Sequence, residues 1–443
     1  MDMAVPSISI MLISSLYNMA DTYFVGSLGT AATGGVGVVF SMMAIIQAIG
    51  FFFGHGAGNF VSRALGAKNY DDATKMASTG FFTSFFANCV VAVLGIIFLE
   101  PLARFLGATE TILPYAKEYM FYILLGAPFL ASSLMLNNLL RFQGSAVYAM
   151  VGMISGAVIN VGLDPLFIFT FKMGVAGAAI ATMISQIISF ILLYVGCMRK
   201  DNIRVSLKYF SPSLRSYREM LRGGAPSLFR QGIASVATIC LNRVAGGYSD
   251  GVIAAVSIVN RVMMFANSML IGFGQGFQPV CGFNYGAKLY DRVRGAFWFS
   301  VKVGTAVLLA FSVVGFAFAP KIISLFRDDP EVIEVGTLAL RLMCVTFPLT
   351  GWTTMCNMML QTMGRAVPAS LLSLARQGIF MIPLLFILVP FLNVLGIQVV
   401  TPLADALTFL LAIPIGIRVL RELKAGVVKL PDKPLEEISL DDV

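Results

Sequence analysis

Apolar stretches long enough to cross a bilayer follow one another along almost the whole chain, separated by short polar joints. A helical span needs about 20 apolar residues. Twelve such segments can be placed, at roughly 3–25, 32–58, 76–99, 113–140, 147–171, 174–198, 220–246, 251–279, 295–319, 333–360, 367–391 and 394–417. None shows the two-residue alternation over ten-residue segments that marks a transmembrane barrel. The pattern predicts an all-α polytopic membrane protein with twelve transmembrane helices. The first segment lacks a basic flank and a small-residue cleavage site, so it reads as a retained span and not a signal peptide.

The pattern is written twice. Leu65-Gly66-Ala67-Lys68-Asn69-Tyr70-Asp71 recurs as Tyr285-Gly286-Ala287-Lys288-Leu289-Tyr290-Asp291, and Phe53-Gly54-His55-Gly56 recurs as Phe273-Gly274-Gln275-Gly276, both displaced by 220. Pro6-Ser7 and Pro226-Ser227, Pro128 and Pro348, and Gly144 and Gly364 keep the same displacement. A constant offset over several features is the mark of a duplication. Each half holds six spans, an even number, so both halves start from the same side of the membrane and form parallel repeats, two six-helix bundles with a central site between them. The expected organisation is a lobe at 1–198, a cytoplasmic linker at 199–219, a second lobe at 220–418 and a cytoplasmic tail at 419–443. Met1 corresponds to Leu221, so the polar lead into the seventh span, Ser213 to Met220, has no counterpart before the first. The expectation is that a short cytoplasmic segment precedes Met1 in the native protein, which mass spectrometry of its N-terminus checks.

Composition agrees: 58% of residues are hydrophobic, 12% are charged and the mean hydropathy is +0.84, far from a soluble domain. The net charge of +8 would point to nucleic acid if the basic residues were scattered. They collect in alternate joints. The side that holds the 199–222 run gathers twenty lysines and arginines, and the other has six: Arg104, Lys117, Lys172, Arg243, Lys321 and Arg327. That asymmetry predicts a cytoplasmic location for both termini, with the basic run resting on anionic headgroups. The six cysteines are dispersed without metal-ligand spacing. The glycine clusters Gly34-Gly35-Val36-Gly37, Gly54 to Gly58 and Gly272 to Gly276 have apolar spans on both sides, so they predict close helix packing and not a nucleotide loop. Methionines such as Met263, Met264, Met355, Met358, Met359 and Met363 fit bundle packing or an adaptable binding surface.

An aspartate at mid-span costs about 3 kcal/mol on insertion scales, so it asks for a function and a partner. Away from loops and span ends the acids are Asp21, Asp164 and Asp405. Asn160 and Asp164, within Asn-Val-Gly-Leu-Asp-Pro, share one helix face, and Pro165 is expected to kink the helix and free backbone carbonyls. Asn18 lies one turn from Asp21. With Thr182 of the sixth span, the first lobe could gather two carboxylates, an amide oxygen and a hydroxyl. Such an all-oxygen set suits an alkali cation or a shared proton, not a transition metal, and two adjoining carboxylates titrate as a unit. Structural hydrogen bonds to neighbouring helices are the alternative.

The second lobe does not repeat these acids, since Asp21 corresponds to Leu241. It carries instead the internal cations Arg230, Arg261, Lys302, Arg341 and Arg376 with one acid, Asp405. An ion pair of Asp405 with Arg376 or Arg261 is expected, or else cations that line the cavity and select acidic substrates. His55, the single histidine, stands opposite Gln275 in the repeat and is expected to be structural. No nucleophile elbow, phosphate loop or HExxH motif occurs. The chain does not read as an enzyme, and an intramembrane hydrolase would have to use Asp21 and Asp164 themselves.

These residues resemble the multidrug and toxic compound extrusion (MATE) family over nearly the whole chain. The stretches that carry the resemblance are Pro6, Tyr17-Asn18-Met19-Ala20-Asp21 with Phe24-Val25-Gly26, Leu65-Gly66-Ala67-Lys68, Asn137 to Gly144, Asn160 to Ile168, and Gly174 to Thr182. The resemblance implies two six-helix bundles forming a V that opens alternately to either side. It implies an N-lobe cation site that falls on Asp21, Asn160, Asp164 and Thr182, with Pro6 as a point where the first helix bends. Branches with carboxylates in the seventh and tenth spans have no match here, so the chain looks like the DinF-like branch. The implied function is export of amphipathic, often cationic, drug-like molecules across the plasma membrane by antiport with H+ or Na+, by a monomer without cofactor or nucleic-acid partner. A lipid-linked precursor flippase of the same superfamily is the alternative, and it would need Arg230, Arg261 and Arg376 unpaired around the cavity.

Overall fold

A computed structural model describes residues 3–200, 202–245 and 247–426, and the described residues contain helices and connections without a strand. The first half builds α1 (Ala4–Gly26), α2 (Thr30–Gly66), α3 (Tyr70–Ile97), the short α4 (Leu99–Phe105), α5 (Leu113–Phe142), α6 (Ala146–Pro165) and α7 (Gly174–Cys197). The second builds α8 (Leu214–Ala245), α9 (Asp250–Gly286), α10 (Tyr290–Ala317), the short α11 (Ala319–Phe326), α12 (Pro330–Thr346), α13 (Leu349–Thr362), α14 (Ala366–Leu374), α15 (Ile382–Leu392) and α16 (Val394–Ala425). Among the described residues nine helices are long and apolar enough to cross a membrane, and α12 with α13 makes a tenth, bent by 56°. The remaining two positions of the twelve belong to α1 and α8, the first helix of each lobe. α8 begins six residues before the expected span, and Arg218, Arg222, Arg230 and Arg243 lower its apolarity. α16 runs past the expected span to Ala425, and the rest of the tail, from 427, lies outside the described residues.

The duplication is visible in the backbone. The non-glycine residues Lys68 and Lys288 turn the chain at φ 60° and 58°, 220 positions apart, and Gly144 and Gly364 do so at 94° and 78°. Lys172 and Asn393, 221 apart, follow at 54° and 52°. Each pair closes a helix end: the N–H of Asn69 bonds the carbonyl of Ala64 and that of Leu289 bonds Asn284, both at 2.8 Å. Side chains repeat as well, with Asn137 Nδ2 donating to the Ala149 carbonyl (3.3 Å) and Asn357 Nδ2 to that of Ala369 (2.7 Å).

The lobes meet through α1 on α9, α8 on α2, and α2 on α9. A shift of 220 turns the first contact into the second and the third into itself, as a pseudo-twofold axis along the membrane normal requires. Glycine makes the approach feasible. A Cβ on Gly66 would strike the Phe283 carbonyl, and one on Gly286 the Arg63 carbonyl, the reciprocal contact 220 positions on. Gly56 faces the Met220 backbone and Gly276 that of Ala4. All these contacts lie in the half of the molecule near the α2–α3 and α9–α10 joints, which the charge asymmetry assigns to the cytoplasm. Eleven residues, about three turns, bring a helix back to within about 20° of the same face. Three turns outward from the seam residues Gly56 and Gly276, Ile45 and Phe265 are 47% and 40% exposed. The facing stripes are therefore in contact at the inner end and separate at the outer end, leaving a cleft between the lobes.

Buried polar side chains reinforce the seam. Arg63 of α2 donates to Glu219 of α8 (2.9 Å) and to the Thr362 carbonyl (2.6 Å). Arg141, placed among loop residues by its sequence position, is almost fully buried in the last turn of α5 and donates to Gln275 of α9 and to Asn138. The repeat-related contact runs from Gln361 through Ser227 (2.7 Å) to His55 Nδ1 (3.1 Å). His55 also stacks on Phe51 and is buried. Met263, Met355, Met358, Met359 and Met363 fill the C-lobe core, while Met264 is exposed.

Candidate functional site

The site is assembled by helices whose small residues let them approach closely. On α6, Gly152 lies against Leu193 and Gly156 against Ser189 and the Ser185 carbonyl of α7, and Ser189 Oγ donates to the Gly152 carbonyl at 3.0 Å. Two turns on, the same face of α6 brings Asn160 and Asp164 to Thr182. The hydrogen-bonding complement orients the Asn160 amide with its nitrogen donating to Asp164 Oδ2 (3.0 Å) and its oxygen accepting from the Thr182 hydroxyl and N–H (both 3.3 Å). Asn160, Asp164, Thr182 and Asp21 of α1 are each at most 3% exposed. The two carboxylates lie close enough for their charges to act on one another. Asp21 Oδ1 is buried without a hydrogen-bond partner, an unsatisfied oxygen that fits a group taking up a proton or a cation. The Asn18 side chain lies outside the described residues.

Two residues join the set that the sequence did not single out for it. Tyr17 and Tyr119 lie beside Thr182 within electrostatic reach of the two acids, and the buried Tyr119 hydroxyl has no hydrogen-bond partner among the described residues. Tyr17 stands one turn before Asp21, so the spacing rule that paired Asn160 with Asp164 would have found it. Tyr119, an aromatic in an apolar span, carried no such signal. The donors remain all oxygen, and among the described residues no group of three or more His, Cys, Asp or Glu could hold a metal.

Pro165 does not break the chain. It is the last residue of α6, and the winding widens into a π turn, Leu166–Thr170, directly after the acid. Such turns recur at functional sites, and this one packs its Phe167 carbonyl against Gly177 of α7. Pro6 falls in the first turn of α1, where a missing N–H costs no hydrogen bond, and α1 continues unbroken to Gly26.

The C-lobe is built differently. Arg376, in a π segment (Ala375–Met381), grips Asp405 of α16 through Nε to Oδ1 and Nη2 to Oδ2 (3.3 Å), so this acid carries its own cation. Arg341 caps the Phe316 carbonyl at 3.3 Å. Arg230 is half-buried and Arg261 exposed, and neither has a carboxylate partner among the described residues. The three arginines therefore do not form one unpaired cluster.

Two repeated helical lobes, a glycine-packed seam at one end, a cleft at the other and acids buried within one lobe define a membrane transporter. The MatE family model matches residues 6–166 and again 226–387, starts that are 220 apart, and the chain belongs to that family. Among its relatives is the multidrug export protein MepA of Staphylococcus saprophyticus, 27% identical over 90% of this chain and 88% of that protein. MepA of Staphylococcus aureus strain NCTC 8325 is 26% identical over 90% and 89%. A solved outward-facing multidrug resistance MATE transporter superposes with a TM-score of 0.90, at 26% identity over 96% of both chains.

Proposed function

We propose that this protein exports amphipathic, drug-like organic molecules across the bacterial plasma membrane, in exchange for H+ or Na+ taken up at Asp21 and Asp164, by alternating access of the central cleft. Both termini lie in the cytoplasm, as the basic joints indicate, and a single chain is the working unit. The observation that carries the reading is the pair of carboxylates, with Asn160 and Thr182, sealed inside one lobe and beside the π turn of α6. Buried acids without a cationic partner are costly unless they exchange an ion. In the cycle, uptake of H+ or Na+ by the outward-facing state disfavours the drug-bound form, so substrate leaves outward and the emptied protein returns inward. Linkage makes that effect reciprocal: drug binding lowers affinity for the ion. Relatives named multidrug export proteins support the drug-like cargo.

The lipid-linked precursor flippase needed three free arginines, and Asp405 occupies Arg376. The test is transport of a cationic dye by proteoliposomes under an imposed pH gradient and, separately, an imposed sodium gradient. Movement driven by either supports antiport, and movement driven by neither removes it.

A further inference from the structure

The two arginines left over in the C-lobe occupy related faces. Arg261 lies three turns outward from Gly272, the α9 glycine packed on the Ile8 backbone of α1, and so faces the N-lobe across the cleft. Arg230 lies two turns outward from Gly223, which touches the Gly56 backbone of α2, and so stands at the floor of the cleft. Beneath it is Arg141, buried with neutral partners only.

The repeat supplies an internal control for whether the fold needs these charges. The residues 220 positions earlier are Ser41 for Arg261 and Ile10 for Arg230. The same scaffold is thus built in the N-lobe without a cation at either place. An arginine at membrane depth is costly and asks for a partner, yet neither has one among the described residues. Between the inner seam and the outer ends, the described side chains of α1, α2, α8 and α9 include one carboxylate, Asp21, and it is turned into the N-lobe. A narrow cleft with low-dielectric walls and cations of one sign concentrates anions.

We propose that the C-lobe wall of the cleft is a binding site for the acidic group of an amphipathic organic molecule, a carboxylate, sulfonate or phosphate ester, held by Arg230 and Arg261. Guanidinium groups suit such oxyanions because they offer paired donors. This rests on the export reading and adds amphipathic molecules that carry an acid to its cargo.

Equilibrium dialysis of the purified full-length protein with radiolabelled taurocholate, an amphipathic sulfonate, tests it independently of transport. Arg230→Gln and Arg261→Gln should each weaken binding about tenfold, and the double variant about a hundredfold. Arg261→Lys, which keeps the charge but not the paired donors, should bind between the native protein and Arg261→Gln. Each variant should keep the native melting temperature and elution volume in detergent, which shows that it is folded. Competition of taurocholate by phosphatidylglycerol assigns the site to lipid acids as well, and a lack of competition assigns it to soluble ones. No taurocholate binding, or binding that the double variant retains, overturns the inference and leaves export standing. Arginine-dependent binding in a protein that moves no dye under any gradient does the reverse.

Discussion

The N-lobe and C-lobe share a backbone and differ in how each satisfies an acid inside the membrane. In the N-lobe, Asp21 and Asp164 are surrounded by an amide and hydroxyls. In the C-lobe, Asp405 is closed by Arg376. The positions are not equivalent, since Asp164 corresponds to Leu384 and Asp405 to Ser185. The N-lobe acids thus have hydroxyl and amide neighbours, and the C-lobe acid has a cation of its own. Under the antiport proposal, that difference puts coupling on one side of the V and leaves the other side free for recognition.

The largest effect expected from that division is on coupling. Asp21→Asn or Asp164→Asn should reduce gradient-driven dye export about a hundredfold, the upper range of a coupling free energy, while the purified protein keeps its native melting temperature. If Asp405→Asn abolished coupling and Asp164→Asn did not, the assignment of lobes would be reversed. Stability should show the opposite order. Arg376→Ala leaves the Asp405 carboxylate buried and unpaired, at a cost of about 3 kcal/mol, readable as a lowered thermal midpoint. The double variant Arg376→Met with Asp405→Leu should recover most of it.

A smaller effect is expected at the seam that both lobes share. Glu219→Gln weakens the grip of Arg63 across the inner contact, where both side chains are 16% exposed. That should favour the inward-open state by about 1 kcal/mol, roughly fivefold. Faster maleimide labelling of a cysteine introduced at Thr362 would report it, and unchanged labelling would exclude Arg63 and Glu219 as a latch. The smallest effect belongs to the outer surface of the N-lobe. Hydrogen bonds from Lys117 and Arg104 hold the Glu100 carboxyl below the ordinary carboxylate range, and Arg104 does the same for Glu110. Depressed values stabilise the fold above the unfolded carboxylate pKa, and the contribution is lost as pH falls through the folded value. The Lys117 and Glu100 side chains are 39% and 44% exposed, so solvent screens the pair and Lys117→Ala should leave the melting temperature nearly unchanged between pH 7 and pH 5.

Much of this was legible in the chain because the features concerned are local. A helix end that must turn at positive φ leaves its mark wherever the repeat demands it, so Lys68 and Lys288, or Gly144 and Gly364, betray the duplication. Acids stand out because hydrocarbon makes them expensive, and its i,i+4 spacing from Asn160 put Asp164 on the same face as that amide. What the chain did not disclose depends on packing between distant segments. Arg141 has a sequence position suited to a loop, and only the seam with α9 explains its burial. Pro128 and Pro348 are equivalent by sequence, yet α5 carries Pro128 without a break while the chain bends by 56° at Pro348. α5 is enclosed by α2, α3, α6 and α7, neighbours that can hold a proline-containing helix in line. Tyr119 joins the acids for the same tertiary reason.

The segment that joins the lobes is fastened to one of them. The N–H groups of Ile203, Ser206 and Ser211 donate to Gln143, Ser78 and Thr79 of the N-lobe (2.6, 3.3 and 3.1 Å) before α8 begins at Leu214. Ser213 already accepts the N–H groups of Ser216 and Tyr217 in α8, so the free leash between the two bodies is one residue, Pro212, and α8 starts as a lever hung from the rim of its partner. A chain nicked there loses no hydrogen bond of either lobe, so the two halves made as separate polypeptides should reassemble through the glycine seam. Under the alternating-access proposal, a leash lengthened at the same point would relax the timing between one body's swing and the other's.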